Sequence, residues 1–109
     1  DTSIITSISN DFDYKYIFSK QIEALGLKND ILLCYSTSGN SQNTIEAAKL
    51  AKKKGIFVIS NTGNKTNKLS KCSDINIKSP SSRTSTIQEC QLLIDHIICR
   101  AVEIKLSKK

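Results

Sequence analysis

Residues 31–51 constrain the fold more than any other stretch, because they place a short apolar run, a polar loop and an amphipathic segment in direct succession. The run 31–35 follows turn-forming residues and has the length of a buried strand. From Ile45 onward, apolar residues recur at helical spacing, with Glu46 and Lys49 between them. A buried strand that leads directly into a helix predicts an α/β fold with a parallel sheet.

The loop between this strand and this helix contains one glycine and four hydroxyl side chains, which are Ser36, Thr37, Ser38 and Ser41. A helix N-terminus offers unpaired N–H groups and the positive end of the helix dipole, and both favour an anion. No lysine or arginine lies within the loop, so it predicts a phosphate site formed by hydroxyls and dipoles. The alternative is that Ser41 or Asn43 only caps the helix and the other residues form a polar turn.

The rest of the chain continues the alternation of helices and strands. The spacing predicts helices over 1–10, from 13 or 14 to 25, over 67–72 and from 84 or 85 to about 106, and strands over 56–60 and 75–79. This order predicts right-handed crossovers and a parallel sheet with helices on both faces.

Several boundaries of these elements have specific signals. We expect Thr2 or Ser3 to cap the first helix, Gly26 to end the second in a left-handed conformation, and Gly55 to end the third. Residues 61–64 are expected to form a loop at the carboxyl edge of the sheet, beside the hydroxyl-rich loop. Ligands of parallel sheets bind at that edge.

Composition and charge narrow the classes of function. A chain of 109 residues has room for one domain, and its apolar runs are too short to cross a bilayer, so we expect no membrane partner. The net charge of +6 comes from scattered lysines without interleaved aromatic residues, which disfavours nucleic acid and favours phosphorylated anions. The four cysteines form no C-x-x-C pair, so reduced thiols and a cytoplasmic location are expected.

Further motifs accompany the hydroxyl-rich loop along nearly the whole chain. They are Asp-Thr-Ser at 1–3, Ser-Asn-Asp at 9–11, Phe-Ser-Lys-Gln-Ile-Glu-Ala-Leu-Gly at 18–26, Asn-Thr-Gly at 61–63, Ile-Gln-Glu at 87–89 and the single histidine, His96. In this order they resemble the sugar isomerase (SIS) domain family and, within it, the phosphoheptose isomerases. The resemblance implies a three-layer αβα sandwich with a parallel, flavodoxin-like sheet. It also implies that residues 1–109 are the carboxyl-terminal part of a single SIS domain that lacks the family's N-terminal helices and first strand.

The resemblance implies an activity as well. Such an enzyme would convert sedoheptulose 7-phosphate to D-glycero-D-manno-heptose 7-phosphate by proton transfer through an enediol, for lipopolysaccharide or other surface glycans. The alternative from another class is a non-catalytic SIS protein, like the DnaA initiator-associating protein, which works as an oligomeric scaffold. The presence of His96 favours the enzyme.

The same resemblance assigns roles to residues. It implies that the four loop hydroxyls hold the phosphate, that Asp11 binds sugar hydroxyls and that Gln88 contacts the substrate. His96 is the implied catalytic residue, since an imidazole can serve as acid or base near neutral pH. From the residues alone, His96 fits a packed or solvated helix histidine equally well, and Asp11 fits a turn residue. The family often has an arginine where this chain has Thr86.

A divalent metal of the zinc type is also implied by the resemblance, held by Gln88 and His96 with a histidine and a glutamate from the family's N-terminal half. Eight residues separate Gln88 from His96, which is roughly 12 Å along a helix that rises about 1.5 Å per residue. We therefore expect another segment or another subunit to complete such a site. The family implies a homotetramer.

Overall fold

The computed structural model describes residues 1–107 as an α/β domain. Its helices are α1 (Thr2–Asp11), α2 (Ser19–Leu25), α3 (Gln42–Lys53) and α4 (Thr84–Leu106), its strands are β1 (Ile31–Ser36), β2 (Phe57–Thr62) and β3 (Ile75–Lys78), and 3₁₀ turns lie at Tyr14–Tyr16 and Ser70–Cys72. The three strands form one parallel sheet in the order β1-β2-β3. The α/β class and the parallel sheet are confirmed.

One face of the sheet carries the hydrophobic core. Cys34 of β1 and Val58 of β2 pack there against α3, which contributes Ile45, Ala48 and Ala51. The alanines have small side chains, so the helix backbone can approach the strands closely, and both are fully buried. This side of the sheet, with α2 beside α3, is called the α3 face below.

The opposite face carries α4 and is called the α4 face. Ile87 and Gln91 are the buried residues of this 23-residue helix, and the Gln91 side-chain amide donates to the backbone oxygen of Asn61 at 3.0 Å. Farther along the helix, Leu92, Leu93 and Ile97 are exposed. Helices therefore lie on both faces of the sheet, but only the first turns of α4 are packed against it.

The amino-terminal helices differ from the sequence prediction. The side chain of Asp1, not that of Thr2 or Ser3, caps α1 by accepting from the N–H groups of Ser3 and Ile4. The predicted helix from 13 or 14 to 25 is wrong as one element. A 3₁₀ turn comes first, because the Asp13 carboxylate accepts from the N–H of Lys15 and fixes a tight turn, and α2 begins only at Ser19.

The backbone conformations of two glycines test the predicted helix ends. Gly55 follows α3 with a φ of 73°, and the predicted end of that helix is confirmed. Gly26 has a φ of −70°, so the predicted left-handed conformation is wrong. Glycine is needed there for space, since a Cβ would lie 2.8 Å from both the Ile22 oxygen and the Ile56 Cδ1 atom.

Around the second and third strands the predicted boundaries shift by a few residues. Asn61 and Thr62 belong to β2, not to a loop, because they pair with β1 and β3 on both sides. The predicted helix over 67–72 is only a 3₁₀ turn, Ser70–Cys72. The predicted final helix matches α4 closely.

Candidate functional site

A cavity of about 580 Å³ lies at the carboxyl ends of β1 and β2. Within residues 1–107, its lining is mostly polar and carries one charged residue, and it consists of Tyr35, Ser36, Thr37, Ser38, Asn40, Ser41, Gly63, Asn64, Lys65, Thr66, Ser82, Thr84 and Ile87. All four loop hydroxyls predicted to bind phosphate are present. A cavity at this edge of a parallel sheet is where ligands of such folds bind.

The hydroxyl-rich loop is held in a fixed shape by its own hydrogen bonds. The Ser36 hydroxyl accepts from the Gly39 N–H at 3.1 Å and lies 3.2 Å from the Ser41 hydroxyl. The Ser38 hydroxyl accepts from the Asn40 N–H at 3.1 Å. Gly39 has a φ of 65°, a left-handed conformation that glycine adopts without strain. The hydroxyls are therefore positioned before any ligand arrives.

Two helix N-termini meet at this cavity. Ser41 occupies the N-cap position of α3, but its side chain makes no bond to the helix N–H groups, so the capping alternative is wrong for Ser41. Asn43 also does not cap α3, since its side-chain oxygen accepts only from the next residue, Thr44. Thr84, the first residue of α4, lines the same cavity, and the Arg83 side chain forms no cap bond either. Since uncapped helix N-termini carry partial positive charge and unpaired N–H groups, both ends favour an anion.

A second loop, residues 63–69, forms the opposite wall. Its backbone is joined to the hydroxyl-rich loop by the Gly63 N–H, which donates to the Thr37 oxygen at 3.1 Å, and by the Leu69 N–H, which donates to the Gly39 oxygen at 2.9 Å. Asn67 packs so tightly that a Cβ on Gly39 would lie 2.2 Å from its Cγ. The two loops therefore form one unit.

Sequence reasoning missed Lys65. Among the residues the structure describes, Lys65 is the one charged residue that lines the cavity. No carboxylate from the described residues lines it. The residues predicted to bind phosphate all lie in the loop after β1, which lacks a cation, although residues 61–64 were expected at the same edge. Because adjacent parallel strands end at the same edge, the loop after β2 could have been searched for a positive charge as well.

The structure leaves three predicted residues away from this cavity. Asp11 ends α1, is exposed, and accepts from the Asn10 side chain. Gln88 and His96 are exposed on α4. Their predicted roles remain predictions, and any role requires a contact outside this chain's own cavity.

The predicted metal ligands do not form a metal site by themselves. Within residues 1–107, no three side chains of His, Cys, Asp or Glu come close enough together to share an ion. Gln88 and His96 supply two donors separated by two turns of α4. The donors present in this chain therefore do not fit a tetrahedral zinc ion without added ligands.

One hydrogen bond joins the cavity wall to the middle of α4. The Tyr35 hydroxyl donates to Asp95 Oδ1 at 2.7 Å. Burial, followed by this bond, raises the pKa of Tyr35 to about 12. The phenol is therefore neutral at physiological pH, and it orients the segment of α4 that carries His96.

An α/β domain whose polar cavity joins two helix N-termini at the carboxyl edge of a parallel sheet offers an anion hydrogen-bond donors and partial positive charge. The chain belongs to the SIS domain family, whose model matches residues 1–63. None of the helices described within residues 1–107 has both the length and the apolar character that crossing a membrane requires.

Individual relatives carry more specific names. A phosphoheptose isomerase of Aneurinibacillus thermoaerophilus is 46% identical over 103 residues, which are 94% of this chain and 52% of that protein. One from Burkholderia pseudomallei (strain 1710b) is 45% identical over 109 residues, covering 100% of this chain and 55% of the relative. The solved structure of phosphoheptose isomerase from Neisseria gonorrhoeae aligns with a TM-score of 0.90 at 41% identity, covering 94% of this chain and 58% of that one. The chain thus spans about half the length of the relatives it matches.

Proposed function

We propose that this chain is the phosphate-binding part of an aldose–ketose isomerase that converts sedoheptulose 7-phosphate to D-glycero-D-manno-heptose 7-phosphate. The observation that carries the proposal is the cavity, in which hydroxyls and two helix N-termini surround a space free of carboxylates among the described residues. The names of the relatives supply the reaction. In this proposal, residues 1–109 act within one SIS domain, and the enzyme serves heptose synthesis for lipopolysaccharide or other surface glycans in the cytoplasm.

The reaction explains why such a cavity is useful. Moving a proton between neighbouring carbons requires a base, an acid and a substrate that does not slide between them. The phosphate takes no part in the reaction, so it can be held tightly throughout. Ser36, Thr37, Ser38 and Ser41 would bind it as hydrogen-bond donors, and this anchor would fix the distance from the phosphate to the reacting carbons.

The other residues of the proposed site lie outside the cavity. His96 would act as general acid or base, Gln88 would contact the substrate and Asp11 would bind sugar hydroxyls. All three are exposed in this chain. In the proposal, they reach a substrate when further residues or another subunit meet these surfaces, within a homotetramer.

We propose a divalent metal of the zinc type only where further residues or another subunit contribute ligands. Gln88 and His96 would be two of its ligands, and the others would come from outside the described residues. Metal binding by the 109-residue chain alone is not proposed.

Calorimetric titration with sedoheptulose 7-phosphate tests the anchor. A Ser38→Ala/Ser41→Ala double variant should lose about a hundredfold or more in affinity, because it removes two hydrogen bonds to a charged group and each contributes about 1.5–3 kcal/mol. Ser7→Ala is the matched control, since that hydroxyl bonds only within α1, to the Ile4 oxygen. Equal affinity in the double variant and the control would contradict the proposed site.

Turnover separates the enzyme from the scaffold alternative. In a protein of the relatives' length, His96→Asn should keep substrate affinity and lower kcat by about 10² or more, which is the usual contribution of a general acid or base. Binding with no turnover in the unsubstituted protein would favour the scaffold. Near-normal kcat in the variant would remove His96 from the mechanism.

A further inference from the structure

The geometry points to Lys65 as the counter-charge of the bound phosphate, and so as a residue that selects doubly ionised phosphate esters. This inference rests on the proposed function and makes it more specific. The hydroxyl-rich loop supplies hydrogen bonds without a full positive charge. Lys65, whose ammonium carries a full positive charge, lines the same cavity from the loop that follows the neighbouring strand.

The backbone on either side of Lys65 is held in place. Just before it, the Asn64 N–H donates to the Ser81 oxygen at 3.1 Å. The Lys65 carbonyl oxygen itself accepts from the side-chain amide of Asn67 at 2.9 Å. Asn67 is 4% exposed and also donates to the Thr62 hydroxyl, so this clamp is part of the interior. The base of the Lys65 side chain is therefore fixed at the cavity rim, while the side chain is exposed and can move.

The surroundings leave this ammonium available for an anion. No acidic residue lines the cavity, among those the structure describes, and the salt bridges of the described chain involve Lys15, Lys20, Lys49 and Lys52. The N-termini of α3 and α4 add partial positive charge on the other sides. A dianion placed among them would gain a direct ion pair with Lys65, whereas a neutral sugar would gain nothing from it.

Lys68 provides a matched control on the same loop. It is also exposed, and its backbone N–H donates to the Asn40 side-chain oxygen at 3.1 Å, but it does not line the cavity. Removing its charge changes the net charge of the protein equally. The two substitutions therefore separate a local ion pair from general attraction of anions by a basic protein.

The test is calorimetric titration of the 109-residue chain with inorganic phosphate and with sedoheptulose 7-phosphate. Lys65→Gln should raise the Kd of both ligands about tenfold, and Lys68→Gln should change it less than about twofold. Lys65→Arg should retain most of the affinity, because it keeps the charge. Between pH 5 and 7.5, affinity should rise more steeply in the unsubstituted chain than in Lys65→Gln, since the second proton of a phosphate ester leaves near pH 6.

The outcomes distinguish this inference from the proposed function. Equal Kd values for Lys65→Gln and Lys68→Gln, with sugar-phosphate binding intact, would overturn the inference alone. Lys65-dependent binding of both ligands, with no isomerisation by the protein at the relatives' length, would support the inference and overturn the proposed reaction. Failure of the unsubstituted chain to bind either ligand would overturn both.

Discussion

On the α3 face of the sheet the buried hydroxyls of β2 have partners, whereas on the α4 face the buried amide of Asn61 has none among the residues the structure describes. Ser60 bonds to the hydroxyl of Ser73 at 2.7 Å and to the amide of Asn76 at 2.8 Å. Thr62 accepts from Asn76 and Asn67. Asn61 lies between these two residues in the strand and points to the opposite side.

The apolar residues follow the same division. On the α3 face, Val58 is fully buried. On the α4 face, the starts of the three strands are exposed, with Ile31 at 67%, Phe57 at 43% and Ile75 at 48%. The α3 face therefore forms a complete core that supports the cavity. The other holds α4, with Gln88 and His96, above a surface only partly packed.

The largest expected loss of stability is at the junction of the two cavity loops, residues 36–41 and 63–69. Gly39→Ala should lower the free energy of unfolding by about 3 kcal/mol or more, because the new Cβ would overlap the clamped Asn67 at a positive φ. Gly55→Ala has a similar φ but a nearest contact of 3.2 Å, to the flexible Lys28 side chain. It should lose only about 1–2 kcal/mol. Urea unfolding measures both, and equal losses would refute the clamp.

Alkaline pH should destabilise the fold through Cys34, which is buried on the α3 face. Burial raises the pKa of the Cys34 thiol from its ordinary value of 9.0 to about 11. Below pH 9 the thiol is protonated whether the chain is folded or unfolded. Between pH 9 and pH 11 the unfolded chain releases the proton first, so stability falls, by up to about 2–3 kcal/mol.

Urea unfolding at several pH values checks this prediction. The fall in stability between pH 9 and 11 should be smaller in Cys34→Ala, whatever that variant loses at neutral pH. Cys99, which is exposed on α4, is the control position. An unchanged pH dependence in Cys34→Ala, or the same flattening in Cys99→Ala, would contradict the assignment.

Smaller changes in the free energy of unfolding, of opposite sign, are expected for one polar side chain of β2 on each face. Thr62→Val removes a bonded hydroxyl and should cost about 1–2 kcal/mol. Asn61→Leu removes a buried amide without a described partner and should be neutral or stabilising by about 1 kcal/mol. Chemical unfolding of the 109-residue chain measures both variants. A clear loss of stability in Asn61→Leu would show that the amide is already satisfied.

Much of the architecture could be predicted from the sequence because its signals are local. Three elements could each be predicted from their own residues. They are the strand at 31–35, the hydroxyl-rich loop and the helix α4. The 3₁₀ turn before α2 was missed because a side chain, Asp13, competes with the helix for the backbone. The length of β2 was missed because pairing with two neighbours, not propensity, keeps Asn61 and Thr62 extended.

The site was predictable to a similar degree. The four hydroxyls predicted to bind phosphate lie within residues 36–41, so the motif identified them together. Lys65 was missed because it joins the cavity only through the pairing of β1 with β2, which brings two distant loops to one edge. Roles for Asp11, Gln88 and His96 came from family resemblance alone, and the fold of this chain does not bring them to the cavity.

We propose that this chain binds the phosphate by itself, whereas catalysis with Gln88 and His96 requires residues from outside it. The most direct test is one calorimetric titration of the 109-residue chain with sedoheptulose 7-phosphate, with the recovered sugar analysed for product. We predict saturable heat of binding and no aldose product. Either an absence of saturable heat or the formation of D-glycero-D-manno-heptose 7-phosphate by this chain alone would contradict it.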